Sequence, residues 1–387
     1  GQLDWPVVLS PAITRADAGF AVSERLASLI AADQEKLSRD PTARNYFFNS
    51  NGTPIAAGTT LRNPDYAATL RDLAQHGTEN FYYGSIARDI VAKIKGATWN
   101  PGVLSMRDFA NYQVKERQPV CAEYRGYDVC GMGPPSSGAL TVGQILGLIE
   151  PYDIATLGPS AAESWRLIGD ASRLAFADRG RYMADIDFVP MPLSGLLDKD
   201  YLGERSKLLT SKRALDNVEA GLPSFSHAMK LADDEAIELP STSHFSIVDS
   251  YGNVVSMTTT IENGFGSRLM VNGFMLNNEL TDFSFRTHKD GVPIANRLEP
   301  GKRPRSSMAP TIVMKDDKPF LAVGSPGGSR IIGYVAQSLI AMIDWNMSPQ
   351  EAINMPHLVN RFGTFDVEAG TPATSLAPEL EAMGFKT

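Results

Sequence analysis

Two cysteines in 387 residues rule out a disulfide framework, and several other features are missing alongside it. No apolar run is long enough to span a bilayer, so a water-soluble body is the expectation. No basic block occurs and the net charge is -8, which argues against a nucleic-acid binder and leaves an acidic, solubilising surface. Histidine is scarce. His76, His227, His244, His288 and His357 are widely spread without zinc spacing, and there is no Gly-x-Ser-x-Gly elbow. Neither an internal repeat nor a low-complexity tract is present. The opening Gly1-Gln2-Leu3-Asp4-Trp5 carries no Met and no signal-peptide pattern, which says nothing about targeting. Cytoplasm, periplasm and secretion all stay open.

What is present is an ordinary globular balance, 43% hydrophobic and 21% charged. The first part reads as mostly helical. Ala16 to Leu37 carries apolar residues at helical spacing. Asn63-Pro64-Asp65 supplies a cap and a first-turn proline, and Ser105-Met106-Arg107-Asp108 is another helix start. Cys121 and Cys130 flank a hairpin turning at Arg125-Gly126. Pairing around that turn sets the cysteines opposite each other, where either a disulfide or two reduced strand thiols would fit. Gly133-Pro134-Pro135-Ser136-Ser137-Gly138 is a turn leading into a helix from about Leu140 to Leu148, and Ala161 to Ala184 is a long helical stretch with charges on one side. From Gly203 to Pro240 the chain is polar with little periodicity, the mark of an exposed connection.

Beyond it the chain is strand-rich: His244 to Asp249, Asn253 to Thr260, Met308 to Met314 and Pro319 to Val323, followed by a helix from Arg330 to Trp345. Helices first and strands later predict an α+β architecture with helices segregated from an antiparallel sheet. The organisation read from this is 1–241, helix-rich and ending in a polar linker, and 242–387, strand-rich, within one globular body.

Four segments carry candidate chemistry. In the first, two alternating strands surround the loop Ser250-Tyr251-Gly252, and pairing Asp249 with Asn253 places Thr260 opposite Thr242. A lone threonine at a strand start is ordinarily structural; here two hydroxyls meet at one hairpin end, just after the linker. His244 falls on the same face by alternation, where a packed strand histidine is the simplest reading. The second segment, Gly324-Ser325-Pro326-Gly327-Gly328-Ser329-Arg330, lies between a strand and a helix, where free N–H groups can meet negative charge. An oxyanion hole, a phosphate site and a simple tight turn all fit, although no Lys follows the glycines as a phosphate loop requires. The third, Leu276 to Ser284, offers carboxylates, and the fourth, Arg303 to Pro310, offers paired serines that could cap a turn. Together they could hold the cation and the anion of a zwitterionic head group.

The stretch Ser241 to Ser284, with Lys302 to Pro310 and Gly324 to Ile332, resembles the small subunit of γ-glutamyltranspeptidases. Gly133 to Leu148 resembles a segment of their large subunit, and weaker similarity runs through nearly the whole chain. The resemblance implies the four-layer αββα sandwich of N-terminal-nucleophile hydrolases, no cofactor and no metal, and a precursor cut between Ser241 and Thr242 into a heterodimer. It implies Thr242 as nucleophile, Thr260 bonded to its hydroxyl, and Gly327 and Gly328 as oxyanion donors. Asp282 would hold the donor's α-amino group, Ser306 and Ser307 its α-carboxylate, and Glu262 and Glu279 would line the pocket. The implied partners are a small γ-glutamyl donor such as glutathione and water or an amino-acid acceptor.

The chain departs from the family pattern in several places. Glu262 replaces a common Asn, and Asn263 and Gly264 stand where many relatives carry hydroxyl residues. The arginine that binds the donor carboxylate in relatives is expected upstream of residue 1, and the usual C-terminus beyond residue 387. The short span from Ser284 to Lys302 leaves no room for a long lid. This points toward the branch with cephalosporin acylases, so a glutaryl acylase is the alternative within enzymes. A pocket that binds but never matures is the alternative of another class, and a phosphate-binding module comes last.

Overall fold

The computed structural model describes residues 1–227, 230–234 and 241–387, and its chain contacts gather into two compact units. One comprises Gly1–Glu116 with Asn263–Asn278, the other Arg117–Glu262 with Glu279–Thr387. The units do not follow the division at Thr242; each draws on both sides of it. Among the described residues no helix is long and apolar enough to cross a membrane.

In the first unit the helices Trp5–Ala18 and Pro64–His76 pack together, tied by Trp5 Nε1 donating to the Leu73 carbonyl at 2.8 Å. Asn63 caps the second of these, its side chain accepting from Tyr66 N at 3.0 Å. The helical reading of Ala16 to Leu37 is corrected. Gly19 turns left-handed at φ +82°, and Phe20–Ala21 pairs as a strand with Thr60–Leu61 before Ser23 caps a new helix, Glu24–Ala32. A Cβ at Gly19 would lie 2.7 Å from the Leu61 carbonyl oxygen, so only glycine makes this exit. The apolar spacing was real but crossed a break. Ile30, Leu37, Phe47 and Phe265 fill this unit's core.

The second unit is built on strands β1 (Val120–Tyr124) and β2 (Tyr127–Gly131), helices α1 (Gly138–Ile149) and α2 (Ala162–Tyr182), strands β3 (Ser243–Val248), β4 (Val254–Thr259), β5 (Thr311–Lys315) and β6 (Lys318–Val323), and helix α3 (Arg330–Ile343). Its main sheet is antiparallel in the order β6-β5-β2-β1. The β1–β2 turn is the expected one: Arg125 and Gly126 both take positive φ, 52° and 79°, as a tight two-residue hairpin demands. Cys121 pairs with Cys130 across the ladder, and a disulfide joins them.

Helix α1 lies on β1 because Gly143 has no side chain; a Cβ there would come within 2.7 Å of the Ala122 Cβ. The helix is buried almost all round, between the sheet, α2 and α3. Several charges of α2 point inward. Arg166, Asp170, Asp178 and Arg179 are buried, each with a polar partner within reach, as buried charge requires. Trp165, Ile145, Ile149, Leu339 and Phe365 close the core around them.

The stretch from Gly203 to Pro240 is also corrected in part; its residues 228–229 and 235–240 lie outside those described. Elsewhere it packs. Leu209 is fully buried, Gly221 N donates to Asp178 at 2.7 Å, and Tyr182 Oη donates to the Gly221 carbonyl at 2.7 Å. Backbone groups anchor it, which leaves no apolar period to detect.

Candidate active site

The hairpin of β3 and β4 is set by its turn. Asp249 Oδ1 accepts from Tyr251 N at 2.9 Å and Asn253 N at 2.8 Å, and Gly252 takes φ +84°. From there the ladder runs unbroken from Val248↔Val254 to Ser243↔Thr259. Thr242 and Thr260 are the next residues outward on the two strands, in the register expected. The chain is continuous through Ser241, and the Thr242 hydroxyl lies against the carbonyl oxygen of Ser241. Thr260 Oγ1 reaches the same oxygen at 3.5 Å while accepting from Glu262 N at 2.8 Å. An N–H can only donate, so it occupies a Thr260 lone pair and directs the hydroxyl proton toward Ser241.

His244 is a packed strand histidine. Its Nδ1 meets Thr258 Oγ1 at 2.8 Å and its Nε2 meets Ser246 Oγ at 3.1 Å; burial holds its pKa below the ordinary value. The ring lies against Gly324, where a Cβ would come within 2.2 Å of it. The strand that follows Thr242 and the start of the glycine loop therefore touch directly.

Gly327 and Gly328 both take positive φ, 136° and 59°, in the turn that starts α3. A Cβ at Gly327 would meet the Tyr334 ring at 2.9 Å. Next in the chain, Ser329 Oγ accepts from Arg361 at 2.6 Å and Arg330 pairs with Asp366 at 2.8 Å, which fixes the loop.

Glu279 to Asp282 form a single 3-10 turn. Burial raises the Glu279 pKa above the ordinary value; the Asp282 hydrogen bond works against that rise, and the Glu262 carboxylate adds to it. Glu262 itself is buried, with φ 71°. The serine pair sits on a loop carried by the Pro134–Ser137 turn: Ser306 N donates to the Pro135 carbonyl at 3.0 Å, and Ser136 Oγ donates to the Met308 carbonyl at 2.5 Å. Ser241, Thr242, Thr260, Glu262, Asp282, Ser306, Ser307 and Gly328 face one small pocket, with Met308 and Ile331 as its apolar wall. Its free space is about 20 Å³, room for about one water. Glu279 and Gly327 stand outside that lining, each adjoining a residue or group that belongs to it.

The sequence reading missed Arg179, which lies behind the serine pair and donates to Ser307 Oγ at 2.6 Å. The available signal was a charged residue on the buried side of a long helix. Its partner comes from 128 residues away, which no local pattern reveals.

A threonine pair beside a peptide carbonyl, next to a glycine turn at a helix start, sits here in a fold of the N-terminal-nucleophile hydrolase class. A solved cephalosporin acylase from Bacillus halodurans matches it with TM-score 0.84 and 26% identity, over 100% of this chain and 67% of that one. The family model for Gamma-glutamyltranspeptidase matches residues 1–387, and the chain belongs to that family. A glutathione hydrolase proenzyme of Bacillus subtilis (strain 168) is 37% identical over 396 residues, and the acylase ACY 1 proenzyme of Pseudomonas sp. (strain V22) is 34% identical over 388. Both comparisons cover 100% of this chain, which spans 65% of the length of each relative.

Proposed function

We propose that this chain is the catalytic body of a self-cleaving γ-glutamyl hydrolase or transferase whose nucleophile is Thr242. One observation carries the reading: two hydroxyls, from Thr242 and Thr260, converge on the carbonyl oxygen of Ser241, in a pocket walled by carboxylates and paired serines.

In the first step Thr242 Oγ1 attacks the Ser241 carbonyl carbon. Thr260 donates to the oxygen that becomes negative, as an oxyanion donor does. The peptide C–N bond breaks, the nitrogen takes up the hydroxyl's proton, and Ser241 is left as an ester on Thr242. Water hydrolyses that ester, giving a Ser241 carboxylate and a free Thr242 α-amine. Such an amine has a pKa of about 7.7–8.0, close to working pH, so it can serve as the base that an alcohol nucleophile needs. Before cleavage the same nitrogen is an amide and cannot. The pocket has room for about one water and Ser241 is part of its wall, so a donor is admitted only after Ser241 withdraws.

In turnover the α-amine takes the Thr242 hydroxyl proton while the oxygen attacks the donor's γ-carbonyl. Gly327 and Gly328 N–H groups stabilise the oxyanion, and the departing amine leaves with a proton. The ester passes its γ-glutamyl group to water or to an amino-acid amine. Asp282 pairs with the donor ammonium, Ser306 and Ser307 hold its carboxylate, and Glu262 and Glu279 add negative charge on the ammonium side. The mature form is a heterodimer of the two pieces.

A glutaryl acylase is the second reading, favoured by the acylase relative and the acylase structure. Asp282 weighs against it, because a glutaryl chain has no ammonium to meet that carboxylate. Intact mass spectrometry with N-terminal sequencing, followed by γ-glutamyl against glutaryl anilide hydrolysis, tests both. A fragment beginning at Thr242 and a γ-glutamyl preference are expected. A chain that never cuts would make the pocket a binding site, and a glutaryl preference would overturn the role of Asp282.

A further inference from the structure

Asn296 is fully buried and is not among the residues that line the pocket. Its side-chain amide joins the two chain segments that carry opposite walls of that pocket. Nδ2 donates to the Asp282 carbonyl oxygen at 2.8 Å, and Oδ1 accepts from Arg305 N at 3.0 Å, one residue before Ser306. Nδ2 also donates to Asp234 Oδ2 at 3.3 Å, and the same carboxylate oxygen accepts from Arg305 Nη2 at 2.9 Å. The Asn296 carbonyl accepts from Ser284 N at 3.0 Å, two residues beyond Asp282.

These partners demand an amide. A carbonyl oxygen only accepts and a backbone N–H only donates, so the group between them must offer a donor and an acceptor at once. Asparagine does this with one planar unit, which holds Nδ2 and Oδ1 at a fixed separation. A carboxylate would set an acceptor against the Asp282 carbonyl and against Asp234. An aliphatic side chain would take this partner from both backbone groups, a cost in a buried site. The two wall-to-wall bonds run to main-chain atoms of Asp282 and Arg305, so the tie acts whatever the side chains of Asp282, Ser306 and Ser307 meet.

We infer that Asn296 is a positioning residue that fixes the spacing between the ammonium wall and the carboxylate wall of the pocket. The inference rests on the reading under which Asp282 receives the donor's ammonium and Ser306 and Ser307 its carboxylate. An α-amino acid carries both groups on one carbon, so their separation is fixed. Where the two anchors keep the matching separation, holding one group leaves little further ordering cost for the other. The pocket then recognises the pair of groups better than the product of the two separate effects.

The experiment uses four p-nitroanilides on the mature enzyme: γ-glutamyl with both groups, glutaryl without the ammonium, 4-aminobutyryl without the carboxylate, and butyryl with neither. The cooperativity of the two groups is the product of kcat/KM for the first and last, divided by the product for the middle two. If the parent enzyme does not prefer γ-glutamyl to butyryl, the donor reading fails and this inference falls with it. If it does, but the cooperativity is about one, the donor reading stands and this inference alone fails. The expected cooperativity is about tenfold or more, the worth of about one buried hydrogen bond. Asn296→Ser, whose hydroxyl stands one carbon short of the amide, should lower it by about tenfold. The glutaryl, 4-aminobutyryl and butyryl substrates should stay within about threefold of the parent, less than the tenfold set by one lost bond. Equal loss on all four substrates, or a chain that no longer cuts at Thr242, shows a general structural role and overturns the inference. If Asn296→Ser does not fold, Asn296→Asp keeps the acceptor for Arg305 N and loses the donor to Asp282. Undiminished cooperativity in that variant overturns the inference too.

Discussion

Gly324→Ala tests whether the strand that follows Thr242, the proposed nucleophile, and the loop with the proposed oxyanion donors Gly327 and Gly328 are held in register by direct contact. The new Cβ would sit 2.2 Å from the His244 ring, well inside the 3.4 Å at which ordinary contact begins. The ring cannot swing aside freely, because Thr258 holds Nδ1 at 2.8 Å and Ser246 meets Nε2 at 3.1 Å. Strand or loop must move by about 1 Å, an overpacking cost of about 2 kcal/mol. At about 2–4 °C per kcal/mol for a body of this size, the unfolding midpoint should fall by about 4–8 °C. The larger effect is on chemistry, since a displacement of about 1 Å at a reacting group can cost about 100-fold in rate. Following the Thr242 fragment by intact mass over time measures that directly. His244→Ala removes the ring and should restore much of the cleavage rate to the Gly324→Ala chain. Cleavage at the parent rate with an unchanged midpoint would refute this reasoning, as would a double variant no better than Gly324→Ala alone.

Thr260→Val keeps the shape of the side chain but removes the proton aimed at Ser241, and should slow self-cleavage by about 100-fold or more; a time course by mass spectrometry decides, and parent-rate cleavage would clear Thr260 of any part in that step. Thr242→Ala should leave a single uncut chain on prolonged incubation, whereas Thr242→Ser should still cut, because only a hydroxyl is required; electrophoresis distinguishes them. Burial raises Glu279 above 4.5, so between that value and its folded pKa the folded state binds more protons than the unfolded one, and stability falls as pH rises through that window. Glu279→Gln should flatten that part of the midpoint-against-pH curve and raise the midpoint at neutral pH; an unchanged slope would place the charge in adequate solvation.

Local features read well because they are governed by nearest neighbours. The Asn63 cap, the Arg125-Gly126 turn and the helix start at Ser105 all form as expected, each satisfied within a few residues. The register of β3 and β4 was legible for the same reason, since the Asp249 turn sets it and alternation carries it outward. Reading failed where the chain's solution was long-range. Helical spacing ran on past Gly19 because periodicity does not register a left-handed glycine followed by a short strand, Phe20–Ala21, that pairs with the distant Thr60–Leu61. The polar stretch after Gly203 looked like linker because its anchors are backbone groups and a few leucines.

By itself the sequence determined which chemistry is available. Thr242 and Thr260 share one hairpin end, a glycine turn precedes a helix, and carboxylates and paired serines stand on separate loops. Turn geometry and side-chain alternation impose that much on any chain so written. Only the tertiary structure decided that these pieces face one pocket, that His244 rests on Gly324, and that Arg179 stands behind Ser307. Those contacts join residues up to 128 positions apart, and they form because a buried cation must find acceptors and a ring must find space, wherever in the chain these lie.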